Sequence, residues 1–476
     1  MVYEPREDTL LLLSIVKKLK LRDRKVLDMG TGTGIIAITA AKKKARVDAV
    51  DIDKEALVAT RKNARREGVK IMVYYSNLFS NVNTRYDYIF FNAPYLPRGA
   101  RSIVKDKALI GGKHGYETLV EFIKQLNKHL TRNGKAFIVY SSLSKEEKIL
   151  EAANNALLEH KELVRKHYFF EDIIVSRLER NRTNRYLYDK GINIEYFYSE
   201  GKHSRVYRTR NGIAKIPRKG FEKNIRREAE IIRYLNNTNS FFTPRLIASH
   251  GSILIEELVK GRRIEELVGE EKRRALFLFL LAARQLDIRN VKKEEMHMPR
   301  KHVLIGEGFY IIDYDRSHFS HNPGNLTQAL HFVIHHLGIP IDKLINEMKK
   351  YKHINIEWKR EELFIEILNK LGMSDLYEAL RSLRDEELNR IIFRGISNDY
   401  LNVFRALGQI KRGNTLTYKE LGIMLDMHAR KVARILARNP LLIMIPCHRV
   451  IGVNDIGGYV LGVKRKKELL LQEAMP

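Results

Sequence analysis

Over the first 180 residues, short runs of β-branched and aromatic residues recur between longer segments with helical spacing. "KVLDMG" (25–30), "RVDAVDID" (46–53), "YDYIFFNAPY" (86–95) and "GKAFIVYSS" (134–142) are the strand-like runs, and "KEALVATRKNARREG" (54–68) is one of the helical patterns between them. This alternation predicts a doubly wound parallel sheet. "HYFFEDIIVSRLER" (167–180) reads as its final strand and "NRTNRYLYDKG" (181–191) as a polar, basic joint. The order then changes. Strands come first, in "HSRVYRTRNGIAKI" (203–216), followed by a helix, a strand at "SILIEEL" (252–258) and mostly helices, the layout of a two-lobed α+β domain. From about 385 onward the pattern is helical with short strands. "TLTYKELGIMLDMHARKVARIL" (415–436) reads there as two short helices joined at Asp426 and Met427, a helix-turn-helix. The expected organisation is a multidomain α/β and α+β chain with domains at 1–182, 186–375 and 385–476.

Composition narrows the setting. A chain of 476 residues has room for about three domains with their own cores. "ALFLFLLAA" (275–283) falls far short of the roughly 20 apolar residues needed to cross a bilayer, so it reads as a buried helix and no membrane is expected. The N-terminal segment has no signal-peptide pattern, and a single cysteine excludes an internal disulfide, which together imply a reducing, cytoplasmic setting. The formal charge of +29 favours polyanions, and residues 401–476 hold 13 Lys and Arg against 5 Asp and Glu.

The first candidate chemistry is "VLDMGTGTG" (26–34), a strand breaking into spaced glycines and opening a helix. Such a turn admits a ligand close to backbone at the C-terminal edge of a parallel sheet, and Asp51 at the end of the next strand can accept hydrogen bonds from ribose hydroxyls. After the fourth strand, "FFNAPYLP" (90–97) joins an amide, a rigid turn and an aromatic face. Asn92 can pair with a planar amide or exocyclic amine and Tyr95 can stack on the same plane. This loop resembles the signature of class I S-adenosylmethionine methyltransferases acting on nitrogen. "YEPREDTLLLL" (3–13) and "ALIGGKHGYETLVEFI" (108–123) resemble the archaeal and eukaryotic release-factor glutamine methyltransferases of the HemK group. That resemblance implies a Rossmann-like methyltransferase fold, with S-adenosylmethionine held by Asp28, Gly30 and Gly32, its ribose by Asp51 and its adenine near Asn77. A release factor or other translation protein would be the partner. Ala93 stands where the family usually has a proline, and Asn77 where it commonly has an aspartate.

In the middle segment, "IAKI" places Lys215 on a strand and "RREAEIIRYL" places Glu228 on a helix, the pairing that kinases use to hold phosphates, while "IIDYDRS" supplies Asp313. The stretch resembles small archaeal kinase-like proteins of the RIO and related groups. "EEMHMPRKHVLI" offers His297 and His302 where a kinase has a catalytic aspartate and an asparagine, and "SEGKHSRVY" keeps only Gly201 of a glycine loop. Binding of ATP and Mg²⁺, a pseudokinase and a nucleotide-binding scaffold all stay open. No standard metal-site spacing occurs, so no metal is expected.

The single cysteine sits in "PCHRVI" (446–451), between "RNP" (438–440) and "GGY" (457–459), with "KKELLLQE" (466–473) closing the chain. With the helix-turn-helix, these elements resemble the methylated-DNA protein-cysteine methyltransferases, which repair O6-alkylguanine by direct transfer and need no cofactor. The resemblance implies that Cys447 accepts the alkyl group, His448 deprotonates it through a bound water, and Glu473 orients His448. Arg430 would fill the gap left by the flipped base, Tyr418 would press the flipped nucleotide's phosphate, and Asn439 and Tyr459 would line the guanine pocket. Arg430, Lys431, Arg434 and Arg438 on the second helix suit a phosphate backbone, although Lys431, Arg434 and His428 stand where the family has smaller residues.

The expected function is repair of O6-alkylguanine in double-stranded DNA by stoichiometric transfer to Cys447, fused to N-methylation of a glutamine amide. The alternatives are a DNA-binding scaffold or lesion sensor with decayed catalytic modules, or a nucleic-acid N-methyltransferase.

Overall fold

The computed structural model describes residues 5–97, 110–168 and 171–474. Tyr3, Glu4, Ala108, Leu109, Phe169 and Phe170 of the segments quoted above lie outside the described residues. The chain divides into two compact units, one of Met1–Glu200 with Arg205–Ala214 and one of Gly201–Ser204 with Lys215–Pro476.

The first unit is built on a seven-stranded sheet. In chain order its elements are α1 (Glu7–Lys18), β1 (Lys25–Met29), α2 (Ile35–Lys42), β2 (Arg46–Asp51), α3 (Lys54–Arg66), β3 (Met72–Tyr75), β4 (Tyr86–Asn92), α4 (Glu117–His129), β5 (Leu130–Ser141), α5 (Glu146–Asn155), β6 (Leu158–Tyr168), β7 (Glu171–Arg180) and α6 (Arg182–Asp189). The strand order is β3-β2-β1-β4-β5-β7-β6. The first five strands are parallel, as the alternating pattern predicts. β7 runs antiparallel between β5 and β6, so the sheet is mixed, correcting the wholly parallel expectation. Val26 and Phe90 point into one core with α1 and α2, while Leu27, Ile89 and Phe91 point into the other with α4 and α5. Neighbouring residues of a strand face opposite layers, which is why these strands are apolar without interruption.

The segment read as a joint is instead the capped helix α6, whose start is fixed by the Asn181 side chain accepting from the Asn184 amide. Its reason is Arg180, which is fully buried at the end of β7. The guanidinium donates to Asn127 Oδ1 (3.0 Å), Asn184 Oδ1 (2.8 Å) and the carbonyls of Asn127 and Leu130, and lies over the Tyr188 ring. A buried cation needs partners for its donors, and α6 supplies part of the shell that holds the two terminal nitrogens of Arg180.

The division between units falls within β8 (Gly212–Pro217). The second unit continues with α7 (Glu222–Asn237), the antiparallel pair β9 (Leu246–His250) and β10 (Ile253–Glu256), α8 (Gly269–Ile288), and a second antiparallel pair, β11 (Val303–Ile305) and β12 (Phe309–Ile311). Helices follow: α9 (Asn325–Leu337), α10 (Ile345–His353), α11 (Glu357–Lys370), α12 (Ser374–Arg381), α13 (Glu386–Ile392), α14 (Asn398–Gly408), α15 (Tyr418–Met424), α16 (Ala429–Leu436) and α17 (Val463–Ala474). The apolar run at 275–283 forms the buried part of α8, as expected. The two short helices of the tail are α15 and α16, with Asp426 in a left-handed conformation between them. Middle and tail share one hydrophobic core running from Ile225 to Val450, so the segments expected as two domains lie in a single packed unit.

Truncating Asn184 to alanine removes an acceptor from Arg180 and a donor from the Ala156 and Leu157 carbonyls. The Asn184→Ala variant should be destabilised by about 2 kcal/mol or more in the unfolding transition of the first unit, measured by urea denaturation.

Candidate functional site

The glycine turn after β1 is held open from behind. Asp28 is buried, and its Oδ2 accepts from Thr31 Oγ1 (2.7 Å) and the Ala37 amide (3.1 Å); burial pushes its carboxyl up to about 7. Asp28 therefore braces the turn and the start of α2. Gly30, Gly32 and Gly34 all have positive φ, and a Cβ on Gly34 would come within 2.8 Å of Thr60 Cγ2. Asp51 ends β2 with Oδ2 accepting from the Gly32 amide (3.0 Å) and Oδ1 from the Asp53 amide (2.9 Å), and burial raises its carboxyl. Turn and carboxylate are thus linked directly. The Ser76 amide donates to the Asp51 carbonyl, which brings the exposed Asn77 to the same sheet edge.

At the end of β4, Asn92 meets two residues that sequence reading did not single out. Its Nδ2 donates to Asp8 Oδ2 and Thr9 Oγ1, both at 3.1 Å, and Tyr95 Oη donates to the same Asp8 oxygen at 3.4 Å. The Asn92 Oδ1 is buried without a partner. Asp8 and Thr9 lie within the quoted "YEPREDTLLLL", and an acid in the first turn of an apolar helix is the only local signal they give. The glycines of the 111–115 segment explain themselves by contact: a Cβ on Gly111 would lie 2.2 Å from the Pro94 carbonyl oxygen, and one on Gly115 2.2 Å from that of Tyr95. They let this segment clamp the loop that carries Asn92 and Tyr95.

In the second unit, Cys447 is buried and its Sγ accepts from Asn439 Nδ2 at 3.1 Å. The same amide holds the Ile445 carbonyl at 2.8 Å while its oxygen accepts from the Leu441 amide. His448 Nε2 lies 2.9 Å from Glu473 Oε1, and Arg449 places Nε and Nη2 on the same carboxylate, both at 2.9 Å. With Nε2–H donated to Glu473, a neutral imidazole presents an acceptor at Nδ1, which is buried without a partner. Burial pushes the Cys447 thiol up and the His448 imidazole down. Burial also works against Glu473, but the hydrogen bonds from His448 and Arg449 outweigh it and hold the carboxyl at about 2. Arg449 alone supplies a permanent charge for that carboxylate, so His448 stays neutral beside it.

Around the thiol, Tyr459 Oη is buried without a partner, and Tyr418 Oη donates to the Gly458 carbonyl. Arg430 and Arg434 are exposed on α16 and Arg438 is exposed in the turn just beyond its end, correcting its placement on the second helix, while Val432, Ile435 and Leu436 face the core. Lys431 pairs with Asp399 (2.7 Å), and His428 caps α16 by accepting from the Arg430 amide.

In the middle segment, Lys215 Nζ contacts Glu228 (2.6 Å), Glu256 (3.0 Å) and Asp313 (3.0 Å). Glu256 went unnoticed in the sequence because nothing local links it to Lys215. Burial opposes the lysine's charge, but the three carboxylates outweigh it, and burial raises Glu228. His302 approaches Asp313 and Glu295 at 3.4 Å each, and among the described residues no cluster has metal-binding geometry.

Comparison with known proteins follows this division. Residues 7–169 match the family model "Methyltransferase small domain", and residues 399–475 match "6-O-methylguanine DNA methyltransferase, DNA binding domain". A Methanocaldococcus jannaschii protein, provisionally named a protein N5-glutamine methyltransferase, is 40% identical over 153 residues, which are 31% of this chain and 77% of the relative. The chain belongs to this methyltransferase family. Its tail is 45% identical over 75 residues to a methylated-DNA–protein-cysteine methyltransferase of Saccharolobus solfataricus, covering 16% of this chain and half the length of that relative. The solved E. cuniculi Mtq2–Trm112 complex, described as responsible for methylating the eRF1 translation termination factor, aligns at 23% identity and TM-score 0.32, over 38% of this chain and 99% of that one. The methyltransferase fold implies S-adenosylmethionine binding. The glycine turn fits that cofactor, since backbone and the Asp51 carboxylate border it. Among the described residues no helix of this methyltransferase is long and apolar enough to cross a membrane.

The low carboxyl pKa of Glu473 has a sign that can be tested. Its folded value lies below the ordinary 4.5, so its contribution to stability is complete above about pH 4.5 and is lost as pH falls toward 2. The Glu473→Gln variant should lose that part of the acid dependence between pH 5 and pH 3, as followed by denaturant unfolding at each pH.

Proposed function

We propose that the chain joins two methyl-transfer activities: N-methylation of a glutamine amide, with a release factor or other translation protein as substrate, and repair of O6-alkylguanine in double-stranded DNA by transfer to Cys447. The observation that carries the first is the orientation of Asn92. Asp8 and Thr9 hold its NH₂ group, which leaves a buried, unpartnered carbonyl oxygen as an acceptor for an N–H donor. An amide nitrogen supplies such a donor. When bound, S-adenosylmethionine supplies an electrophilic methyl group; Asp51 would hold its ribose, and Gly30 and Gly32 leave room for its approach. Asn92 then orients the nitrogen, and the apolar face of Tyr95 keeps the amide plane in register. A nucleobase amine offers the same N–H, so a nucleic-acid substrate is the competing reading of this site.

In the tail, the Cys447 thiol gives its proton toward the free Nδ1 of His448, with Glu473 holding Nε2–H so that the tautomer is fixed. The new bond forms between Sγ and the alkyl carbon as the bond from that carbon to guanine O6 breaks. The departing guanine takes up a proton, and the Tyr459 hydroxyl is available to it. The exposed arginines of α16 suit the phosphates of a duplex, and the base must leave the stack to reach a buried thiol. The ordered constellation supports transfer over a lesion sensor.

A second reading concerns the middle segment. The Lys215–Glu228 pair supports a nucleotide-phosphate site of kinase type involving Asp313. Glu256 and Asp313 also occupy the same ammonium, and His297 and His302 stand in place of the catalytic carboxylate, which favours a scaffold over a phosphotransferase.

Incubation with duplex DNA carrying O6-methylguanine should add one methyl group to the intact mass, and Cys447→Ala should abolish the gain. Retained DNA binding without mass gain would assign the tail to lesion sensing. In parallel, Asn92→Ala should lower methylation of a glutamine-containing release-factor peptide by about 10²-fold while leaving S-adenosylmethionine binding intact in calorimetry.

A further inference from the structure

The loop that cradles Cys447 is hung from a helix of the middle segment. Residues 439–445 are internally tied by Asn439, which holds the Leu441 amide, the Ile445 carbonyl and the Cys447 sulfur. Gln285 of α8 and Arg289, just past its end, both more than 150 positions earlier in the chain, grip the same loop. Gln285 Nε2 donates to the Leu442 carbonyl and its Oε1 accepts from the Leu442 amide, both at 3.1 Å, a reciprocal pair of the kind a neighbouring strand would make. Arg289 Nη2 donates to the Pro440 carbonyl at 3.2 Å.

Arg289 is also electrostatically unusual. It is fully buried, and its other partners are Gln285 Oε1 (2.6 Å), the Gln285 carbonyl (3.1 Å), Thr238 Oγ1 (3.2 Å) and the Thr238 carbonyl (2.9 Å). Every one of these is neutral. A buried guanidinium without a carboxylate is costly unless some group can become its anion. Asn439 donates to the Cys447 sulfur, and the charges of Lys466 on α17 and of Arg289, just past the end of α8, act on it electrostatically, as it does on the hydroxyl-bearing Tyr418 and Tyr459. The adjacent His448 is bound to Glu473, and that carboxylate is already engaged by Arg449. Two cations therefore act on the thiol; Asp455 is a carboxylate for Lys466, whereas the groups that can become an anion for Arg289 are the hydroxyls of Tyr234 and Tyr459 and the thiol itself, which ionises most readily of the three. Lys466 is a weaker candidate for a fixed charge, because burial lowers it to about 8. Burial also lowers Arg289, but only to about 10, so it keeps its proton at neutral pH.

We propose that Gln285 and Arg289 are positioning residues of the alkyl-transfer site, fixing the 439–445 loop from the middle segment and setting a permanent positive charge against which Cys447 ionises. The inference rests on the reading of Cys447 as the alkyl acceptor and adds a role for α8 that the tail-only match at 399–475 does not include. A tail freed from α8 would lose three hydrogen bonds to the loop and the charge together.

Because Cys447 is the sole cysteine, iodoacetamide alkylation reports on it alone. In the full-length chain, Arg289→Met should raise the midpoint of the pH–rate profile for iodoacetamide by about one unit and slow methyl transfer from O6-methylguanine DNA at pH 7 about tenfold, with duplex affinity unchanged. Arg289→Lys, which restores the charge, should return the midpoint to within about 0.3 unit of the parent. Gln285→Met removes the Leu442 bonds and one side-chain acceptor of Arg289 but keeps the guanidinium, so it should slow transfer about fivefold and move the midpoint by less than half the shift of Arg289→Met. An unmoved midpoint in folded Arg289→Met overturns the charge role. If that variant does not fold, unchanged transfer by Gln285→Met overturns the positioning role. A parent protein that takes no methyl group from DNA sinks the repair reading instead, and the iodoacetamide midpoint still judges the effect of Arg289 on the thiol.

Discussion

Arg284, Gln285 and Asp287 in the last turn of α8 and Arg289 just past its end lie within six residues, and all four are buried. A polar group removed from water must find partners inside the protein, so these side chains dictate which segments come together around the helix. Arg284 pairs with Glu357 (2.8 Å) and Glu361 (3.2 Å) of α11. Asp287 accepts from the Asn325 and Leu326 amides at the start of α9 and from Tyr351 Oη of α10. Gln285 and Arg289 reach the loop before Cys447. Breaking any of these pairs would leave a polar group unpaired in apolar surroundings, at a cost of several kcal/mol for the charged ones. The helix thereby specifies the geometry of the second unit more sharply than apolar contact alone could.

The same arrangement supports the other flank of the thiol site. Glu357, whose carboxylate is held by Arg284, donates its amide to Gln472 Oε1, and Trp358 Nε1 donates to the Gln472 carbonyl. Gln472 immediately precedes Glu473, the residue that fixes the His448 tautomer. Both the loop before Cys447 and Gln472, the neighbour of Glu473, are therefore held by the middle segment. In the first unit the analogous constraint is smaller. One buried carboxylate, Asp8, binds both Asn92 and Tyr95, and so ties the first helix to the loop after the fourth strand.

Legibility in the sequence followed the range of the interactions. The parallel strands, the glycine turn, Asp51, Asn92, the helix-turn-helix and the surroundings of Cys447 depend on spacings of a few residues or on uninterrupted apolar runs, and each was readable. Strand β6, "LEHKELVRKHY", is largely exposed at the sheet edge and carries charge along its length, as edge strands do, so no hydrophobic pattern marks it. Helix α6 looked like a joint because the reason for its buried Asn184 lies in Arg180 and Asn127 rather than in its own pattern. Glu256, Gln285 and Arg289 matter through partners tens to hundreds of positions away, and an isolated acid or amide in a helix carries no sign of such a partner. The three-domain division did not anticipate the shared core for a related cause: the apolar residues that pack middle against tail are far apart in sequence.

Burial gives the lone cysteine its selectivity as well as its cost. A thiol raised by desolvation reacts poorly with small electrophiles met in solution, since little of it is thiolate. In the proposed transfer, the neutral His448 Nδ1, the Asn439 amide donor and the charge of Arg289 would together lower the barrier to ionisation, and an electrophile that takes up the unpartnered Tyr459 hydroxyl would meet all of them. The proposed N-methylation site at Asn92 would use the same logic with opposite chemistry. There the unpartnered group is the acceptor Asn92 Oδ1, which rewards a substrate that brings an N–H and leaves one without it facing a buried, unsatisfied oxygen. In each case selectivity comes from a polar atom that the fold buries and leaves for the substrate to satisfy.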